Sequence, residues 1–391
     1  MLYLFVKWLV RFGLLIFFRK ITFTNPSMLK QKGPLLLACN HPNSFLDALI
    51  LGSFFRRPVH FLARGDAFKN AVVKKILDRL NVIPIYRLSE GKEHLALNDH
   101  TFGKCAQVLK EGGIVLIFSE GLCLNQWKLR ALKKGTARIA ISAWQHPGIC
   151  DYLKVVPVAF NYSTFTRFRK NVVIVFGEPL SANQVDQGKS EGEQMVCFNS
   201  IVYKQLYGNL LHESENNAYL IEFLINNTRI TKSQERTILV LKKVQSVLVS
   251  TSLVKKIGAF RGTKRLCFKN ADLVSDVLFC LLFFIPAFVC LLIHLPVYIP
   301  LERYIRNKTK GSVFYHSAFF GALIVAYPFY VFILSILIAV VFKNLLILLL
   351  IILLPAGALL YQQWQDKYEG VVNYFQLSAG ERLAIRRAWQ A

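Results

Sequence analysis

Residues 33–49 read GPLLLACNHPNSFLDAL, in which a short apolar run, a polar turn and a second apolar run follow one another. The first run, GPLLLAC at 33–39, begins with Gly and Pro and predicts a buried β-strand. The second run predicts a helix over 44–55. A strand that passes through a short turn into a helix is typical of α/β folds.

The same alternation of strands and helices continues from about residue 34 to 180. Five more apolar runs predict strands, and each ends at a polar residue, Gly or Pro: PVHFLAR, NVIPIYR, GGIVLIFSE, LKVVPVAF and NVVIVFG. Further helices are predicted at 67–79, 93–111 and 134–146. We therefore predict an α/β domain whose mostly parallel or mixed sheet is flanked by helices. Pro157, in LKVVPVAF, predicts an edge or terminal position, because proline cannot donate to a strand ladder.

The composition is both apolar and basic. Hydrophobic residues make up 54% of the 391 residues, and the formal net charge is +25. This combination favours an anionic membrane surface or phosphorylated ligands as partners. Nucleic-acid binding fits poorly, because the basic residues are spread out and no zinc-finger, RNA-recognition or basic-zipper pattern occurs. The eight cysteines show no CxxC pair, so we expect reduced thiols and no metal site.

Membrane contact is predicted at both ends of the chain. Residues 1–24 carry Lys7 and Arg11 among large apolar residues, which is typical of a helix in the membrane interface. Residues 276–301 contain three prolines and have basic residues on both flanks, so the positive-inside rule predicts a proline-bent re-entrant hairpin. Two further apolar segments, 314–342 and 344–361, are long enough to span a bilayer.

These patterns divide the chain into five predicted regions, with the catalytic domain facing the cytoplasm. They are an interfacial helix (1–24), a catalytic domain (25–200), a basic helical extension (201–270), the membrane segments (271–362) and a cytoplasmic tail (363–391).

The turn after the first strand carries a candidate dyad. His41 lies at the end of the strand, and Asp47 follows in the first turn of the helix. A carboxylate beside a histidine fixes the ring tautomer and stabilises the imidazolium, so the pair is a minimal general base. A purely structural role is also possible, because Ser44-x-x-Asp47 before an apolar helix has the pattern of a capping box.

Two later segments contain candidate ligands for an anion. Arg87 follows the strand NVIPIYR and would meet His41 if both strands end at one sheet edge. The segment 117–140 has Glu120 and Gly121 at a strand end, followed by basic residues. We consider Lys128, Arg130, Lys133 and Lys134 as phosphate or carrier contacts. Arg87 could instead be a solvated arginine at a strand end, and the basic residues of 117–140 could form a helix face that rests on lipid head groups.

Taken in order, these segments resemble the glycerolipid acyltransferase family, which includes lysophosphatidic acid and glycerol-3-phosphate acyltransferases. The matching blocks are His41/Asp47, Ile-Pro-Ile-Tyr-Arg at 83–87, Phe-Ser-Glu-Gly at 118–121 and Val-Pro-Val at 156–158. They cover roughly residues 20–200. Two departures are the five residues between His41 and Asp47, where four is commonest, and Leu122, where the family has Thr.

The resemblance implies a membrane O-acyltransferase in phospholipid biosynthesis, without a metal or redox cofactor. His41 would deprotonate a hydroxyl, which attacks the thioester of acyl-CoA or acyl-carrier protein. Asp47 would orient His41, Arg87 would hold a phosphate, and Glu120 and Gly121 would position the glycerol. The acceptor stays open between glycerol 3-phosphate and lysophosphatidate. An amino-acid lipid acceptor, a remodelling transacylase and a non-catalytic lipid-binding scaffold also stay open at this point.

Overall fold

A computed structural model gives the fold of most of the chain. It describes residues 1–86, 97–213, 218–227, 234–249, 253–260, 262, 264–267 and 270–390.

The domain is built on a mixed sheet of seven strands, in agreement with the predicted fold class. The strands are β1 (Phe18–Thr24), β2 (Leu35–Cys39), β3 (Val59–Arg64), β4 (Val82–Ile85), β5 (Ile114–Phe118), β6 (Lys154–Tyr162) and β7 (Lys170–Phe176). Their spatial order is β1-β7-β6-β2-β5-β3-β4, and every neighbouring pair is parallel except β6 with β7.

Helices cover both faces of this sheet and continue beyond it. They are α1 (Leu2–Phe17), α2 (Phe45–Phe54), α3 (Ala71–Arg79), α4 (Leu97–Lys110), α5 (Lys134–Trp144), α6 (Glu191–Asn209), α7 (Ala218–Asn227), α8 (Gln234–Val249), α9 (Leu253–Ala259), α10 (Asn270–Leu282), α11 (Phe284–Lys308), α12 (Tyr315–Phe342), α13 (Leu350–Phe375) and α14 (Ala379–Gln390). The four helices predicted between strands are all present, with shifted ends.

Strand β2 lies in the middle of the sheet between β5 and β6. All five of its residues are buried, because helices pack on both faces of a central parallel strand. One apolar cluster joins two of its side chains to α5 and α6, and a second cluster joins the remaining three to α1, α2 and α12. Because β2 and β5 are parallel and Cys39 pairs with Phe118, the residues after both strands emerge side by side.

Two expectations about the strands are wrong. The helix predicted over 1–24 ends at Phe17, and Phe18–Thr24 forms the edge strand β1 beside β7. Strand β6 lies inside the sheet, although it contains Pro157. Its antiparallel ladder with β7 begins at Val158, and the Pro157 carbonyl accepts from the Gly177 amide at 2.7 Å. The proline therefore stands at the end of that ladder, where it removes one bond only.

The re-entrant hairpin predicted for 276–301 is also wrong. Helices α10 and α11 follow one another along α13: Trp364 donates to the Cys280 carbonyl at 2.9 Å, and Gly357 lies against Cys290 further along. Pro296 and Pro300 lie inside α11. The flanking charges predicted that this segment folds back on itself, but α10 and α11 instead pack one after the other along α13.

Two of the described helices, α11 and α12, are long and apolar enough to cross a membrane. The C-terminal helices also contact the α/β domain directly. Arg19 in β1 pairs with Asp366 in α13 at 3.4 Å, and the Ser317 hydroxyl in α12 donates to the Asn43 carbonyl at 3.2 Å. The predicted boundary at residue 200 falls inside α6, whose apolar side chains belong to the domain core.

Candidate active site

His41 and Asp47 form the predicted pair at the carboxyl end of β2. The Nδ1 atom of His41 lies 3.0 Å from Oδ2 of Asp47, which is fully buried. A carboxylate beside Nδ1 accepts a hydrogen bond from the Nδ1–H group, so the lone pair of the neutral ring lies on Nε2. Nε2 makes no hydrogen bond with any described residue, and the His41 side chain stays 15% exposed. The ring is therefore available as a base toward solvent or a substrate.

Asp47 does not cap its helix in the predicted way. In the described structure, no side-chain capping bond forms at Ser44. Asp47 Oδ2 instead accepts from the Asn43 amide at 2.8 Å, which fixes the turn that carries His41. Ser44 has φ +52°, an uncommon value for a residue other than glycine. The five residues between His41 and Asp47 thus fit within a strained turn and the first turn of α2.

Glu120, after β5, supports the backbone of the same turn. Its Oε1 accepts from the His41 amide at 2.9 Å, and its Oε2 accepts from Nε of Arg130 at 3.0 Å. Both carboxylate oxygens therefore have protein donors. Gly121 has φ +67°, and a Cβ there would lie 2.9 Å from the Lys133 side chain. Glycine allows the loop to turn back under Lys133.

The loop after β5 wraps around the His41 turn. The Leu124 amide donates to the His41 carbonyl at 3.3 Å, and the Asn125 side chain donates to the Pro42 carbonyl at 2.7 Å. The Ser44 amide donates to the sulfur of Cys123 at 3.0 Å. Burial raises the pKa of Cys123 to about 12, so this thiol stays protonated near neutral pH. All eight cysteines lie in described residues and are free.

The predicted anion ligands are only partly brought together. Arg130 joins the site through Glu120, and its side chain is 24% exposed. Lys133 is exposed beside Gly121. Lys128 and Lys134 are exposed too, and neither side chain hydrogen-bonds to a described residue. Arg87 lies outside the described residues.

Comparisons with known proteins address this arrangement. Residues 20–161 match the family model described as Acyltransferase, a range that includes His41, Asp47, Glu120 and Arg130. The chain therefore contains an acyltransferase domain in these residues.

Among solved structures, the chain is similar to the crystal structure of the 1-acyl-sn-glycerophosphate (LPA) acyltransferase, PlsC, from Thermotoga maritima. The match has 18% sequence identity and a TM-score of 0.36, and it covers 51% of this chain and 78% of that one. The search of curated proteins found no match.

Tyr162 is a residue of the candidate site that the sequence analysis missed. Its hydroxyl donates to Oδ1 of Asp47 at 2.6 Å, so both carboxylate oxygens of Asp47 are hydrogen-bonded. Burial and the neighbouring Asp47 raise the pKa of Tyr162 well above its usual value, so it remains a donor. Tyr162 reaches Asp47 because β6 extends beyond Val158, the partner of Cys39 at the end of β2. The apolar strand pattern around it carries no signal for this role.

Lys170 is a second unpredicted group near the His41–Asp47 pair. It is buried, donates to the Phe165 carbonyl at 3.2 Å, and lies over the rings of Phe17, Phe18 and Tyr162. Burial lowers the pKa of Lys170 to about 7, although the negative charge of Asp47 opposes this shift. Lys170, the first residue of β7, therefore loses its proton more easily than an exposed lysine.

Apolar side chains lie exposed near the dyad turn. Phe45, in α2, stacks on Phe314, just before α12, with ring centroids 5.7 Å apart. Leu122, in the loop after β5, is also exposed. Phe314 lies outside the matched acyltransferase range, so the C-terminal helices contribute to this surface.

Proposed function

We propose that this acyltransferase is bound to a membrane and transfers a fatty acyl group from acyl-CoA or acyl-carrier protein. The acceptor would be a hydroxyl of glycerol 3-phosphate or lysophosphatidate, in phospholipid synthesis. The observation that carries the proposal is the His41–Asp47 pair, in which a buried carboxylate holds Nδ1 and the partly exposed ring keeps Nε2 without a hydrogen bond to a described residue.

In the proposed reaction, Nε2 of His41 removes the acceptor hydroxyl proton as the oxygen attacks the thioester carbonyl. The new ester C–O bond forms, the C–S bond breaks, and the thiolate leaves with the proton returned by the imidazolium. Asp47 stabilises that imidazolium, and Tyr162 and the Asn43 amide keep the carboxylate in place. The acyl group thus passes directly to the acceptor oxygen, without an acyl-enzyme, and the hydroxyl proton ends on the thiol.

The acceptor phosphate would be held by exposed cations on the loop after β5. Arg130 is the best-supported candidate, because its Nε donates to Glu120 and its Nη2 to the Leu122 carbonyl, which holds the guanidinium in place and leaves Nη1 to donate to a phosphate. Lys133, beside Gly121, is the next, and Lys128 and Lys134 are candidates for carrier or phosphate contacts. Arg87 and the glycerol-positioning role of Glu120 and Gly121 remain predictions from the family resemblance.

The membrane location rests on apolar surface. Helices α11 and α12 have the length and composition of membrane spans, and α1 exposes Phe5, Trp8 and Phe12. The exposed Phe45, Leu122 and Phe314 provide an apolar path toward the dyad for an acyl chain. We further propose that the catalytic domain faces the cytoplasm, where acyl thioesters and reduced cysteines are found.

The deciding experiment measures thiol release from acyl-CoA and acyl-carrier protein by detergent-purified full chain. The acceptor panel contains glycerol 3-phosphate, lysophosphatidate, a lysophospholipid without a free phosphate, and an N-acyl amino acid lipid with a free hydroxyl. We expect acceptor-dependent release that falls by about 10²-fold or more in His41→Ala. His60→Ala is a matched control, because His60 lies in β3 and does not contact Asp47. Full activity in His41→Ala would exclude the proposed base.

A further inference from the structure

Helix α3 has an apolar surface that the fold does not use. None of its residues is buried, and Val72, Val73 and Ile76 are exposed, with Val72 at 68%. On a helical projection these three lie on one side, and Leu77, half-buried, continues the same side. A helix packed only on a domain surface normally turns such residues inward, so an external apolar partner is expected.

Basic residues border this apolar side. Lys74 and Lys75 are exposed on the opposite arc of α3, Arg79 is exposed next to Val72 at the edge of the apolar side, and Lys69 is exposed just before the helix. Asp78 is the only acid among residues 69–80. A short amphipathic helix with an apolar side and several cations suits the head-group region of an anionic bilayer, where long lysine stems reach back to phosphates.

Topology places α3 on the same face of the sheet as α1. The crossovers β2-α2-β3 and β3-α3-β4 advance in the same direction across the sheet, and parallel crossovers are right-handed, so α2 and α3 cover one face. Helix α1 packs on α2 on that face. The N-terminal end of α1 and the C-terminal end of α3 also lie near the start of β3, since the Val59 amide donates to Tyr3 and the Phe61 amide donates to the carbonyl of Asn81, two residues after α3.

We propose that α3 is a second membrane-docking element, which binds the head groups of anionic phospholipids while Val72, Val73 and Ile76 enter the interface. This inference rests on the proposed membrane location of the enzyme. Together with α1, it would hold one face of the catalytic domain against the bilayer rather than leaving the domain tethered only by its C-terminal helices.

Photocrosslinking in the reconstituted full chain tests this contact. The photoreactive residue p-benzoylphenylalanine replaces Ile76 in one variant and Val196 in another, in vesicles of phosphatidylcholine with or without phosphatidylglycerol. Val196 is the matched control, because it is exposed on α6, which packs on the opposite sheet face. We expect lipid adducts at position 76, more with phosphatidylglycerol, and few at 196. The double variant Lys74→Glu, Lys75→Glu should reduce the adducts at 76 a few-fold.

Crosslinking at further positions separates failure of this inference from failure of the membrane location. Lipid adducts at Trp8 and Phe329 but none at 76 would reject docking by α3 and keep the membrane location. No adducts at any of the three positions would reject both. Adducts of position 76 with protein rather than lipid would also overturn the inference. Activity toward acceptors in detergent should be the same in the double variant and the wild type.

Discussion

The two carboxylates nearest His41 come from neighbouring strand-end loops and hold different parts of the same residue. Asp47, after β2, contacts the His41 ring, and Glu120, after β5, contacts its backbone amide. The second partner of Asp47 is the neutral phenol of Tyr162, whereas the second partner of Glu120 is the cation of Arg130. Within the described residues, no lysine or arginine hydrogen-bonds to the Asp47 carboxylate, whereas the charge of the Glu120 carboxylate is neutralised by Arg130.

This comparison predicts that Asp47→Asn has the largest effect of the substitutions at the two carboxylates and their partners. The amide cannot stabilise an imidazolium and can present its NH₂ group to His41, which favours the wrong ring tautomer. We expect turnover to fall on the order of 10²-fold. Steady-state thiol release with each acceptor measures the effect. If Asp47 served the fold alone, the variant would lose stability while the folded fraction kept wild-type turnover.

Tyr162→Phe removes only the hydroxyl that donates to Asp47. The loss of a hydrogen bond to a buried charged group costs about 1.5–3 kcal/mol, part of which would appear as a roughly tenfold lower turnover. Steady-state thiol release and thermal unfolding measure the two effects. Lower stability with unchanged turnover would show that Tyr162 only packs.

Glu120→Gln tests the second carboxylate of the comparison. The amide is uncharged and keeps only one acceptor oxygen, so either the His41 amide or the two Arg130 donors lose their acceptor, and we expect the unfolding free energy to fall by about 1–3 kcal/mol. Turnover should fall only a few-fold, because the ring contact with Asp47 remains. Thermal unfolding in detergent and kinetics with varied acceptor measure both effects. A large rise in acceptor KM without loss of stability would instead support direct acceptor contact by Glu120.

The sequence predicted local features better than distant ones. His41 and Asp47 lie six positions apart, so a strand, turn and helix pattern sufficed to bring them together. Tyr162 lies 115 positions from Asp47, and its contact depends on how far β6 extends past β2, which no local pattern specifies. Strand β1 was missed because its apolar residues continue those of α1. The re-entrant hairpin was predicted from the flanking charges, and these carry no information about how α10 and α11 pack on α13.

The smallest predicted effect on turnover concerns Lys170, which has no part in the proposed reaction. Its expected effect is on stability. Burial lowers the pKa of Lys170 from 10.5 to about 7 in the folded protein. Between these values the unfolded chain binds a proton that the folded chain does not, so this group makes stability rise with pH. Below pH 7 both states are protonated, and the full cost of burying the charge is present.

Lys170→Met removes this titration. Relative to the wild type, the variant should gain most stability below about pH 7, and the gain should shrink toward pH 10 by at most about 1.4 kcal/mol per pH unit. Thermal unfolding across this pH range measures it. Lys20→Met is the matched control, because Lys20 is exposed in β1, where it pairs with Asn171. A gain that does not vary with pH would mean that the folded and unfolded chains both keep the proton on Lys170, and that burial does not lower its pKa.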